Sequence, residues 1–193
     1  MLKPLEILQW ERRRNLQVRE AFRLGMEAWS KLSGDPLDFY LACADYLVPA
    51  QRRLIDQDLR LANLIAGRVP SAQAEDHAKI ASLKARLHDS AAALGDFDVA
   101  AGELRRLGSA ARVRFEAAAG KYIDFVVNVL GARSHSLRHL TSTLLSEPDW
   151  ELITGSTASL LREESERFAR VQQTAPAGVD PATVSTERPA KPA

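Results

Sequence analysis

Four polar residues, Glu11, Asn15, Gln57 and Glu164, stand where the apolar repeat of their segments calls for core side chains. A buried polar group needs a partner, so a carboxylate or amide on a core-facing stripe marks either an internal polar network or the wall of a ligand site. Glu11 and Asn15 are one helical turn apart, as are Arg53 and Gln57, and Glu164 interrupts the stripe Leu160, Leu161, Phe168 and Val171. His77 borders a further stripe. If these faces converge, carboxylates, amides, a guanidinium and an imidazole share one interior, a set able to close on itself by ion pairing or to bind a metal or small molecule. The competing expectation is that each sits at a bundle end, where apolar stripes fray into water, or that Arg53 simply pairs with a carboxylate.

His135 and His139 form a second constellation, the His-x-x-x-His spacing that puts two imidazoles on one helical face and suits a metal. Their register opposes an internal site. With Leu137, Leu140, Leu144 and Leu145 facing the core, both histidines point outward, and a solvated face is expected. The chain has no Gly-x-Gly-x-x-Gly, Walker loop, His-Glu-x-x-His, Cys-x-x-Cys or nucleophile-elbow serine. This lowers the expectation of an enzyme without excluding one, because bundle enzymes assemble their sites from scattered side chains.

The elements that must position these residues are all helical by their ~100° apolar period. Residues 4–32 carry Ile7, Leu8, Val18, Phe22, Met26 and Trp29 on one side, and Ser33-Gly34-Asp35-Pro36 supplies a stop followed by a cap and first-turn pair. Residues 36–66 carry two apolar lines, one from Phe39 through Cys43, Tyr46 and Leu54 to Ile65, the other of Leu41, Val48, Ile55 and Leu59. Two apolar faces require two neighbours, either helices of the same chain or a second copy. Pro49 is expected to kink this helix. A third helix, with Ile80, Leu83, Leu87, Ala91 and Leu94, is expected to break at Gly95-Asp96. A fourth then spans 96–130 with Phe97, Leu104, Leu107, Phe115, Tyr122 and Val129 on one face. After a break at Gly131–Ser134, a short helix, a turn beginning at Ser146 and a last helix from Gly155-Ser156 to Val171 follow.

No segment shows strand alternation. The expected fold is therefore all-α, an up-and-down antiparallel bundle of four main helices whose later parts are interrupted. Residues 1–172 form one domain and 173–193, rich in Pro, Ala and Thr, a disordered tail. With 193 residues and a net charge of +1, the chain supports one core and offers no electrostatic excess for nucleic acid. No apolar run is long enough to span a membrane, and the start reads as no secretory signal. The lone Cys43 on an apolar face suits a cytoplasmic compartment, and the preponderance of Arg over Lys suits a bacterial genome.

Two segments resemble a known family. Glu75-Asp76-His77-Ala78-Lys79-Ile80-Ala81-Ser82-Leu83 is similar to the Glu-His-x-x-Ile-x-x-Leu helix of hemerythrin-like cation-binding bundles, and Arg162-Glu163-Glu164-Ser165-Glu166-Arg167-Phe168 to the end of that family's His-x-x-x-Glu-Glu-x-x-Leu-Phe helix. Gln57-Asp58-Leu59-Arg60-Leu61 lies on the same pattern, and the likeness extends over roughly the first 170 residues. It implies a helical bundle and, in that family, a di-iron centre. The alignment puts Arg53 where the family has an iron-binding histidine, Gln57 in place of a bridging carboxylate and Ser159 in place of another histidine. His77 and one of Glu163 or Glu164 alone remain of the ligand set, and an always-charged arginine repels a cation. Iron is thus the alternative to no cofactor.

The leading expectation is a bundle of hemerythrin-like type that has lost its di-iron site and acts as a binding or assembly module, a homo-oligomer through the helix at 36–66. The second is a genuine internal site, binding metal or a small molecule through Glu11, Asn15, Arg53, Gln57, His77 and Glu164. The third is a phasin-like surface-coating protein with exposed leucine rows.

Overall fold

A computed structural model of the chain describes residues 3–29, 35–130 and 138–184. Among the described residues there is no strand. Helix α1 spans Pro4–Trp29, α2 Leu37–Ala66 and α3 Ala74–Leu107. A 3-10 turn, Gly108–Ala111, leads into α4, Arg112–Phe125, which ends in a π turn, Val126–Leu130; α5 (Arg138–Leu144), α6 (Glu147–Thr154) and α7 (Ala158–Thr174) follow. The expected stop at Ser33-Gly34, the break at 131–134, His135 and Leu137 lie outside the described residues.

The pairings between helices define an antiparallel bundle around α2. Arg12 of α1 pairs with Asp58 while Phe22 meets Phe39 and Tyr40, so α1 runs against α2. Arg52–Asp98 and Asp45–Arg105 do the same for α3. On a further side, Glu164 and Phe168 of α7 meet Arg53 and Tyr46, again antiparallel. Fifteen of the 30 residues of α2 are buried, because it packs against neighbours on several sides, which is why its sequence carries two apolar lines. Val48 and Ile55 of the second line are buried, and Leu41 and Leu59 are half-buried against the same core. Intramolecular packing thus accounts for both faces. Among the described residues α2 leaves no bare apolar face for the homo-oligomer expected through 36–66, and the exposed leucines are Leu5, Leu107 and Leu152.

Three expectations about boundaries are corrected. Gly95-Asp96 does not break the chain: Leu87, Leu94, Phe97, Ala101 and Leu104 form one buried stripe straight through it. A helical glycine costs only about 1 kcal/mol, less than a continuous apolar stripe recovers by burial against α2. The break falls at Gly108, whose φ of 59° only glycine adopts readily. The long face expected over 96–130 therefore belongs to two helices, and Leu107, on the turn side, is exposed. Thirdly, the expected tail boundary at 172 falls inside α7. Beyond Thr174 the chain turns, with Val179 N–H on the Pro176 carbonyl and Val184 N–H on that of Asp180, and buries Val179 against the core. Residues 185–193 lie outside the described residues.

The core divides lengthwise. At the end where α1 finishes and α2 begins, Phe22 is fully buried among Phe39, Tyr40, Phe97 and Phe115, with ring centroids 5.6–6.4 Å apart. Trp29 lies on Phe39 at 5.4 Å, and Tyr122 stacks on Phe97 at 5.4 Å. Such pairs contribute ~0.5–1.5 kcal/mol each beyond burial. A second, smaller cluster of Ala62, Ile65, Val69, Ile80 and Leu140 closes the other end. There Arg68 grips Asp149 with two hydrogen bonds, 2.6 and 2.7 Å, and also reaches the Leu144 carbonyl, tying α6 to the end of α2. The Arg68 guanidinium and the Ser146 hydroxyl and N–H hold the Asp149 carboxyl well below the usual range.

Gly25 is the tightest point of the aromatic end, since a Cβ there would fall inside contact distance of the Phe39 ring. Phe39 is boxed in by Phe22, Trp29 and Tyr40 and has nowhere to go. Gly25→Ala is expected to lower stability by about 1–2 kcal/mol despite the better helix propensity of alanine. Gly102→Ala, on an exposed α3 position with open space around its Cα, is expected to raise it by about 0.5–1 kcal/mol. Urea denaturation of both variants checks the pair, and equal signs would contradict the packing argument.

Candidate functional site

The site is built from α1, α2, α7 and the turn between α6 and α7. Helical period brings Glu11 inward from α1, Arg53 and Gln57 from one face of α2, and Glu164 from α7. Glu11, Gln57 and Glu164 are at most 2% exposed. Arg53 lies between the two carboxylates. Its Nε donates to Glu11 Oε1 at 3.0 Å and its Nη2 donates to Glu164 Oε2 in a very short contact. Gln57 Nε2 donates to Glu11 Oε2 and to the Thr154 carbonyl, both at 2.9 Å. The Ser156 hydroxyl donates to Glu11 Oε1 at 2.7 Å, and the Tyr46 hydroxyl to Glu164 Oε1 at 2.7 Å. Every carboxylate oxygen of the pair is thereby engaged.

Local structure explains why Thr154 and Ser156 reach this point. Gly155 ends α6 in the left-handed region at φ 56°, returning its N–H to the Glu151 carbonyl, and Thr157 then caps α7 by accepting the Leu160 N–H. This reversal turns the Thr154 carbonyl and the Ser156 hydroxyl toward Glu11 and Gln57, while the Thr154 hydroxyl donates to the Pro4 carbonyl at 3.2 Å. A neighbouring cation, Arg14, is sandwiched between Trp10 and Phe168 at 4.2 and 4.4 Å and donates to Ser165.

The electrostatics are those of two carboxylates sharing one guanidinium. Burial pushes the Glu164 carboxyl up, and the Glu11 charge adds to this, while the Tyr46 hydroxyl and Arg53 pull it down. Burial first, and the facing Glu164 carboxylate second, push the Tyr46 phenol well up, so it remains a donor at all physiological pH. The Cys43 thiol is likewise pushed up by burial and is no nucleophile. Chemically the arrangement stores a closed ion pair. Each of the four carboxylate oxygens already accepts at least one hydrogen bond from the protein.

Of the residues singled out in the sequence, Glu11, Arg53, Gln57 and Glu164 meet within hydrogen-bonding reach. Asn15 does not join them. It is buried beside them, but its Nδ2 has no partner, and Gln57 Oε1 is likewise buried without a donor. His77 is also separate: it lies half-buried in the first turn of α3 and takes part in none of the network's hydrogen bonds. Glu163 faces solvent, bonded to Ser159 and paired with Arg167 on its own helix, so the inward carboxylate is Glu164. His135 lies outside the described residues, and of His139 only the backbone, in α5, is described. Among the described residues no group of three or more His, Cys, Asp or Glu could hold a metal ion. Sequence reasoning missed Tyr46, Thr154 and Ser156. Tyr46 was detectable, since a tyrosine in a core stripe needs a partner for its hydroxyl; the two turn residues carried no such signal.

Removing the cation should expose the repulsion. Arg53→Met leaves Glu11 and Glu164 buried face to face and is expected to cost about 3 kcal/mol at pH 7–8. A carboxyl whose folded pKa lies above its unfolded value adds stability below the unfolded value and loses it as pH climbs through the folded one. Without Arg53 that window widens upward, so the deficit of Arg53→Met against wild type should shrink as pH falls toward about 5. Chemical denaturation across pH reads this, and a pH-independent deficit would contradict it. Conversely, Asn15→Leu removes a buried donor that bonds to nothing and is expected to be stabilising by about 1 kcal/mol in the same assay. Comparison of the chain with protein-family models, curated proteins and solved structures gives no match.

Proposed function

We propose that this chain is a metal-free helical bundle of hemerythrin-like type, which has replaced an internal metal site with an ion-paired arginine and acts as a binding or assembly module. The observation that carries the reading is the position of Arg53, whose guanidinium bridges the two inward carboxylates, Glu11 and Glu164, at the heart of the bundle. A permanently charged guanidinium at that point does for the carboxylates part of what a cation would do, offsetting their repulsion and tying α1, α2 and α7 together. The residues present do not suit iron: Gln57 Nε2 is committed to Glu11 and Thr154, His77 takes no part in the network's hydrogen bonds, and Arg53 repels a cation.

With both inward carboxylates engaged by neighbouring side chains, such a bundle works through its surface, as a scaffold that binds. Metal analysis of the purified full chain tests the reading. Iron and zinc well below one equivalent per chain, unchanged after incubation with either ion and gel filtration, are expected; stoichiometric iron would overturn it.

A further inference from the structure

Outside the interior network a charged groove of ligand size lies between α2, α3 and α7. Its volume is about 440 Å³, within the range of small-molecule sites. The floor is apolar and shallow because the residues of α2 that form it, Ala42, Ala44, Val48 and Pro49, are short. Pro49 contributes further, since it has no N–H to donate to the Asp45 carbonyl one turn back. Four arginines, Arg52, Arg105, Arg167 and Arg170, and two aspartates, Asp45 and Asp98, line the walls.

The charges do not balance. Arg105 pairs with Asp45, Arg52 with Asp98 at 3.3 Å, and Arg167 with Glu163 at 3.3 Å on its own helix. Arg170 makes no ion pair among the described residues. The three pairs are each well exposed, with side chains 37–60% open to solvent, so they hold their arginines weakly. The chain as a whole has a net charge of only +1, so a local excess of guanidinium over an apolar floor is a specific feature of this surface.

We propose that this groove binds a small organic anion. Its carboxylate or phosphate would take the forked donors of Arg167 and Arg170, and its apolar body would lie on Val48 and Pro49. The two arginines are three residues apart on α7 and therefore share a helical face, the spacing at which two guanidinium groups serve one acid group. The inference rests on reading the chain as a binding module and names what that module takes; it does not depend on the metal-free interior.

The test uses the full chain, labelled with nitrogen-15, and the probes phenyl phosphate, phenylacetate, inorganic phosphate and benzyl alcohol. Saturable amide shifts at Ala42, Val48, Arg167 and Arg170 are expected with phenyl phosphate or phenylacetate. Inorganic phosphate, which lacks the apolar body, and benzyl alcohol, which lacks the charge, should bind at least about tenfold more weakly. Arg167→Ala/Arg170→Ala should weaken the aryl anions by about tenfold or more with the melting curve preserved, and raising ionic strength to about 0.5 M should act in the same direction. The proposal is overturned by the absence of saturable shifts with both aryl anions, by shifts mapping elsewhere, or by undiminished affinity in the double variant. Iron in the purified chain would sink the metal-free interior and leave the groove standing; a groove that binds neither aryl anion in a metal-free chain would sink the groove alone.

Discussion

The guanidinium of Arg53 holds two carboxylates that would otherwise repel each other in the interior of the bundle. Glu11 comes from α1 and Glu164 from α7, helices that both run against α2, so one side chain of the central helix fixes its neighbours on two sides. Two buried negative charges and one positive leave the group a formal charge short, and the deficit is met by neutral donors, Tyr46, Gln57 and Ser156. Buried ion pairs are seldom a large source of net stability. Their value here is geometric, because a guanidinium satisfies both carboxylates only in one relative placement of the helices.

The rest of the bundle follows from that placement. The aromatic end, packed around Phe22, is held by close contact. The polar centre forbids rotation, since turning α7 by one residue would bring Glu163 inward and take Glu164 away from Tyr46. At the far end the Arg68–Asp149 pair anchors α6, and with it the turn that delivers Ser156 and the Thr154 carbonyl. Apolar packing thus supplies the bulk of the cohesion, and three guanidinium groups, of Arg14, Arg53 and Arg68, specify the register.

This division also bears on function. A bundle that evolved around a metal would present open lone pairs inward and an entry route; in this chain the carboxylate oxygens of the centre are engaged by other side chains. The unused chemistry lies at the surface, where Arg170, which makes no ion pair among the described residues, lines a groove together with apolar residues of α2. Arg53 inside and Arg170 outside carry the same planar, always-charged fork, and burial of its neighbours decides whether it is held by carboxylates or left open to solvent.

Helical period alone placed Glu11, Gln57 and Glu164 on inward faces, because burial side is set by a rotation of ~100° per residue and needs no knowledge of neighbours. It likewise made the fold all-α, gave α2 two apolar sides and separated Glu164 from Glu163. What period does not contain is which faces meet and where a tolerated glycine becomes a break. Gly95 and Gly108 look alike in sequence; the chain turns at Gly108 because the buried stripe on α2 continues past the first and not past the second. Asn15 has the same inward register as Glu11, yet its Nδ2 finds no partner, and His77 borders a stripe that leads elsewhere. Tyr46 read as a hydrophobe until a carboxylate from a helix more than a hundred residues later lay against its hydroxyl. Register along a helix is local. Partnership across helices is settled by packing, where the sum of distant apolar contacts fixes the distances over which a hydrogen bond is made or lost.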